Sequence, residues 1–132
     1  MKSVFLIDDH VAFRKGLKMM LEMIPWVRVT GESPGHEQLA SQLLAIKPDI
    51  IFIDVHLKSV NSFAITTALH ELFPASKIIL MTMFPEQGYW DDGKAAGANA
   101  MIFKPDISEK LEITLADLFP LENFHENKPG KS

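Results

Sequence analysis

The feature that most constrains this chain is an alternation that runs from end to end. Short apolar or β-branched runs at residues 4–7, 27–30, 50–53, 78–81 and 100–103 each give way to a longer stretch with apolar residues at helical spacing. The run at 50–53 is apolar throughout, as expected where both faces of a parallel sheet are covered. Phe13, Leu17, Met20, Leu21 and Ile24 predict a first helix, closed by Pro25. Ser33-Pro34 reads as the start of a second helix, with Leu39, Leu43 and Ile46 as its apolar face and Pro48 past its end. Phe63, Leu69, Leu72 and Phe73 predict a third helix ended by Pro74, and residues 86–97 a weak fourth containing Gly88 and Gly93. Ile107, Leu111, Leu115 and Leu118 form the face of a fifth, opened by the capping-box spacing Asp106-Ile107-Ser108-Glu109 with Asp106 as cap. Five strands alternating with five helices imply an α/β fold: a doubly wound, mostly parallel sheet covered on both faces. In such sheets function collects at the carboxyl ends of the strands.

With 132 residues the chain suffices for one domain with its own core. The absence of cysteine excludes disulfides and thiolate metal sites. A net charge of −4 gives no support to nucleic-acid binding by this segment. No apolar run approaches the roughly 18 residues of a membrane span, and the N-terminal run is too short for a signal peptide, so the expected location is the cytoplasm. After Pro120 the composition turns polar. Residues 1–119 are therefore expected to fold, with 120–132 a linker or disordered tail.

Four strand ends carry the chemistry. Asp8-Asp9 follow the first strand, Asp54 ends the third, Thr82 ends the fourth and Lys104 follows the fifth. An aspartate after a strand is, taken singly, an ordinary turn or cap residue; the conjunction on one sheet edge is specific. Two carboxylates about 5 Å apart repel by roughly 3 kcal/mol at an effective dielectric of about 20. Three therefore need a cation or protons. Oxygen-only ligands with room for water suit Mg2+. A hydroxyl and an ammonium nearby suit the oxygens of a transferred phosphoryl group, with Asp54 as nucleophile forming an aspartyl phosphate.

The set Asp8-Asp9, Asp54, Thr82 and Lys104-Pro105 resembles the receiver domains of bacterial two-component response regulators. The stretches FLIDDHVAFRKGLKMML, KPDIIFIDVHL and GANAMIFKP look most like the NarL/FixJ (LuxR-type) branch, and the resemblance covers residues 1 to about 119. It implies the flavodoxin-like (βα)5 sheet of strand order 2-1-3-4-5, and a phospho-accepting switch rather than an enzyme. Asp9 and Asp54 would hold Mg2+ directly with the backbone carbonyl of His56, and Asp8 mainly through water. Thr82 would bond a phosphoryl oxygen, and Lys104 would pair with the phosphoryl group or, without it, with Asp54. The partner implied is a sensor histidine kinase donating from a phosphohistidine, and the chain a monomer or weak homodimer. The resemblance also implies that this is the receiver part of a longer transcriptional regulator with a helix-turn-helix output domain; the alternative is a single-domain regulator that acts by protein contacts alone.

The chain departs from the family pattern at Lys58, where proline is usual, at Ser62, where glycine is common, at Met83, where a small residue is usual, and at Met101, where an aromatic is usual. Met101 puts a conventional aromatic switch in doubt, and flexible methionine can repack in its place. His56 and Phe84, each two residues past a pocket residue, are expected on the pocket rim, where they would slow hydrolysis of the phosphate. A cis Lys104–Pro105 bond is expected from the sharp turn that aims Lys104 at Asp54.

Other signals read as ordinary. Gly88 to Ala95 nearly matches a phosphate-binding loop but lacks its hydroxyl and carries Asp91 and Asp92. His10 reads as a helix-start residue, the side chain of His56 as a rim group rather than a ligand, and Met19, Met20 and Met23 as core filler. Tyr89 and Trp90 fit either an exposed contact patch or ordinary packing. Two rival functions remain. A phosphatase of the haloacid dehalogenase type needs an acid two residues after its nucleophile, where this chain has His56. A pseudo-receiver that binds partners without phosphorylation would have no use for the complete acidic set.

Overall fold

A computed structural model describes residues 1–36 and 38–120. In chain order the elements are β1 (Lys2–Ile7), α1 (Val11–Glu22), β2 (Val27–Ser33), α2 (Leu39–Ile46), β3 (Ile50–Asp54), α3 (Ser62–Leu72), β4 (Lys77–Thr82), α4 (Gln87–Ala96), β5 (Ala100–Phe103) and α5 (Ile107–Leu118). All neighbouring strands pair in parallel, in the order β2-β1-β3-β4-β5. The expected α/β architecture and strand order are those observed.

The strand period of two sorts one apolar run into two cores. Val4, Leu6, Ile50 and Phe52 face α1 and α5, where Leu17, Leu21, Leu111 and Leu115 meet them. Phe5, Ile7, Ile51 and Ile53 face the other way, onto Leu39, Leu43 and Leu69 of α2 and α3. Each such side chain, fully withdrawn from water, contributes about 1.5–3 kcal/mol.

The glycines that weaken α4 have a use. A Cβ on Gly93 would come within 2.6 Å of Leu80 Cδ1, so glycine lets the helix lie close on β4. Gly97 caps the helix at φ +107°, and a Cβ there would meet the His70 ring at 2.6 Å.

Four local expectations are corrected. The Ser33-Pro34 helix start is not formed: Ser33 is the last residue of β2, paired with Ile7, and its Oγ accepts from the Gly35 N–H at 3.0 Å. Gly35 then turns at φ +89°, incompatible with a helix, and α2 starts only at Leu39. Asp106 precedes α5, but its side chain makes no capping bond; a single 3-10 turn over Lys104–Asp106 leads in instead, with the Ile107 N–H donating to the Lys104 carbonyl. No peptide bond among the described residues is cis, so Lys104–Pro105 is trans. The turn is made by that 3-10 segment, whose first residues suit the fixed φ of a trans proline. Met19 and Met23 are exposed rather than core, because the helical stripe that reaches the sheet is Leu17–Leu21. The tail expected beyond Pro120 lies outside the described residues.

Candidate functional site

The register of the parallel strands assembles the site. Ile7 pairs with Ile53, which sets Asp8 beside Asp54. Asp54 pairs with Met81 and Thr82 with Phe103, which brings Thr82 and Lys104 to the same edge. Asp8, Asp54, Thr82 and Lys104 are all buried. Lys104 Nζ stands 2.8 Å from Asp8 Oδ2 and 3.3 Å from Asp54 Oδ2, and 4.3 Å from the centre of the Phe13 ring, which shields it on the α1 side.

The loops fix these groups from behind. The His56 N–H donates to Asp54 Oδ1 at 3.0 Å, and Ser62 Oγ donates to the Asp54 carbonyl at 2.6 Å. Ser62, a departure from the family pattern, thus ties the first turn of α3 to the end of β3. Lys58, another departure, supplies what proline lacks: its N–H donates to Asp9 Oδ2 at 3.0 Å. Arg14 holds the β1–α1 loop by donating to the Asp8 carbonyl and, at 2.7 Å, to Glu32. That guanidinium, more than Lys18, keeps the Glu32 carboxyl below its usual range against the opposing effect of burial.

On the other side of Asp54 the rim is aromatic. His56 Nε2 and Thr82 Oγ1 are 3.0 Å apart, and the imidazole stands edge-on to Phe84 and Tyr89 at centroid distances of 5.0 and 5.1 Å. Thr82 Oγ1 also accepts from the Phe84 N–H at 3.0 Å and donates to the Phe84 carbonyl at 3.2 Å. The side chain of His56 is therefore a rim group and does not reach the carboxylates. Phe84 and Met83 are exposed, and Pro105 lies on the surface beside Lys104. Met101 is half-buried and lines a groove of about 460 Å³ with Thr82, Phe84, Trp90 and Phe103. Trp90 and Tyr89 are both half-buried, so neither is a free patch.

Sequence reasoning missed His10. It is the N-cap residue of α1, yet its ring makes no capping bond. Instead Nδ1 lies 3.1 Å from Asp8 Oδ1, 3.3 Å from Asp9 Oδ1 and 3.2 Å from Asp54 Oδ2. Asp8, Asp9, His10 and Asp54 each offer a ligand atom within 4.8 Å of the others. The signal was an acid pair followed at once by a third ligand type.

This donor set fits a divalent cation. Asp9 Oδ1 is buried without a hydrogen bond, and Asp8 Oδ2 has only the Lys104 ion pair, in poor hydrogen-bond alignment. Three carboxylates against one buried ammonium leave the pocket short of positive charge.

The chain is 30% identical over 115 residues to the sensory transduction protein LytT of Bacillus anthracis, covering 87% of this chain and 46% of that protein. It is 27% identical over 109 residues to the transcriptional regulatory protein DegU of Brevibacillus brevis, covering 83% and 46%. The chain thus spans about half the length of these curated relatives. The isolated REC domain of RcsB from Salmonella enterica serovar Typhimurium, solved with the phosphomimetic BeF3−, shares its fold at a TM-score of 0.81 and 22% identity, over 89% of this chain and 87% of that one. No helix among the described residues is long and apolar enough to cross a membrane. The family model of the response regulator receiver domain matches residues 4–116, and the chain belongs to that family.

Proposed function

We propose that this domain is a phosphorylation switch in which Asp54 takes a phosphoryl group from a phosphohistidine of a sensor histidine kinase. The observation that carries the reading is the buried contact of Lys104 with both Asp8 and Asp54 beside an under-neutralised carboxylate cluster. A carboxylate oxygen of Asp54 attacks phosphorus, the new O–P bond forms as the N–P bond breaks, and the leaving imidazole takes up a proton. Asp8, Asp9 and Asp54, with the His56 carbonyl, would hold Mg2+, which offsets the carboxylate charge and the charge on the transferred group. Lys104 neutralises the oxygen nearest it. Thr82 must leave its bonds to Phe84 and His56 to donate to a phosphoryl oxygen, and that exchange is the event the rest of the domain can read.

Residues 1–119 form the switch unit in this reading and 120–132 the connection to whatever it controls. The relationship to a transcriptional regulatory protein supports a transcriptional output in the cytoplasm, and the acidic chain leaves DNA reading to another domain. Met101 offers no ring to flip. Motion of Thr82 and Phe84 instead reshapes the groove between α4 and β5. Met101→Ala is expected to keep phosphorylation-dependent binding of the output partner, measured by titration of phosphorylated and unphosphorylated protein; loss of binding with phosphorylation intact would restore position 101 as the switch.

Acetyl phosphate with Mg2+, followed by intact-mass measurement, tests the main reading. One phosphoryl group is expected per chain, none without Mg2+. Inertness would favour the pseudo-receiver, and steady release of phosphate without adduct the phosphatase. The rim adds a further expectation. His56 and Phe84 crowd the approach of an in-line water, so Phe84→Ala and His56→Asn should each shorten the phosphate lifetime severalfold, followed by the decay of the adduct. Unchanged decay in both would remove the rim from the account.

A further inference from the structure

We propose that His10 is a ligand in the carboxylate site, and that the site therefore takes an imidazole-binding first-row ion (Mn2+, Co2+, Ni2+ or Zn2+) with a nitrogen in its coordination shell, which Mg2+ does not use. The inference rests on the cation-site reading above and adds a ligand to it.

The geometry is that of a shared shell. Ligand atoms about 2.0–2.2 Å from a first-row ion stand roughly 3 Å from each other when adjacent. His10 Nδ1 is 3.1, 3.3 and 3.2 Å from one oxygen each of Asp8, Asp9 and Asp54. Hydrogen bonding alone does not account for that convergence. A ring nitrogen carries either one proton or one lone pair. Asp8 Oδ1 already accepts from the His10 backbone N–H at 2.8 Å and Asp54 Oδ2 lies 3.3 Å from Lys104, but Asp9 Oδ1 has no hydrogen bond, and a lone pair facing three carboxylate oxygens is repelled by all of them. A cation among the four atoms satisfies every one.

Two further observations agree. Asp9 Oδ1 is buried with no hydrogen bond of its own, and His10 Nδ1 lies 3.3 Å from it. The His10 ring is also free for this role: its backbone is extended at the N-cap position, but its side chain makes no bond to the first turn of α1. What caps the helix in other proteins is here turned toward the acids.

Chemistry sets the selectivity. Imidazole suits the later first-row ions, whereas Mg2+ takes oxygen and keeps its waters. Mg2+ therefore binds the carboxylates with His10 swung aside, and a nitrogen-accepting ion binds with His10 in place. The His10 side chain would then take two positions, and the identity of the ion would select between them.

Calorimetric titration of the whole chain with Mg2+ and Ni2+, and pulsed electron paramagnetic resonance of its Mn2+ form, test this. His10→Ala is expected to weaken Ni2+ binding by about tenfold or more and to leave Mg2+ within about twofold. The Mn2+ form of the parent should show coupling to a directly bound 14N that the variant lacks. Equal effects on both ions, or no nitrogen coupling in the parent, would overturn the assignment. Asp54→Asn separates the two levels. If it weakens every ion while His10→Ala weakens none, the carboxylate site stands and His10 is excluded from it. If no ion binds the parent at all, the cation site itself is wrong and the inference falls with it.

Discussion

Asp54→Asn is expected to take up no phosphoryl group from acetyl phosphate and Mg2+, and to unfold in urea at a midpoint no lower than the parent's. The first half follows from chemistry: an amide oxygen is no nucleophile toward phosphorus. The second half follows from charge. Asp8, Asp9 and Asp54 are set against one buried ammonium and a half-exposed imidazole. Removing one charge leaves the closer Lys104–Asp8 contact of 2.8 Å intact. The amide oxygen can still accept from the His56 N–H that now serves Asp54 Oδ1 at 3.0 Å. Like charges about 5 Å apart cost roughly 3 kcal/mol at an effective dielectric of about 20, so some relief is expected in the absence of a divalent ion. Intact mass and urea unfolding in chelator measure the two halves. A labelled variant would move the acceptor elsewhere, and a clear loss of stability would show that Asp54 is held by attraction rather than strained by repulsion.

Lys104→Met has the opposite sign and a larger size. The stem of the side chain is replaced and the ammonium is not, so Asp8 and Asp54 stay buried and lose their shared partner. Breaking a buried pair from one side costs about 3–5 kcal/mol, because the remaining charge is stranded. Urea unfolding near neutral pH reads this directly. The double variant Lys104→Met with Asp54→Asn should recover part of the loss, since one of the stranded carboxylates is gone. A double variant whose change equals the sum of the two single changes would mean that Lys104 stabilises the fold through its stem and its contact with Phe13, and that its charge contributes little.

The strands were legible because a parallel sheet covered on both faces leaves no polar position inside it: residues 50–53 and 78–81 fall within β3 and β4. The edge strand was less so. β2 runs on through Gly31, Glu32 and Ser33, past the expected strand at 27–30, because pairing to β1 supplies what their own preferences do not. Asp54, Thr82 and Lys104 could be placed from sequence because each terminates a run whose direction is fixed by the sheet. His10 could not. It follows a strand by three residues, and whether its ring turns back over the acids or out along α1 depends on loop geometry that no periodicity encodes. His56 was placed on the rim from sequence, but its partner Thr82, on another strand, was not. Ser33-Pro34 misled because a hydroxyl before proline opens a turn as readily as a helix, and Gly35 decides between them.

The Lys58 amide bound to Asp9 couples two things that the usual proline would keep apart. One oxygen of Asp9 is buried beside His10, and the other tethers the β3–α3 loop. Any ion that re-aims Asp9 thereby reports to that loop. By thermodynamic reciprocity, a protein that grips the loop must alter the affinity of the ion by the same factor. A docking kinase and a dissolved cation would then be mutual effectors, each reading the other through a single carboxylate.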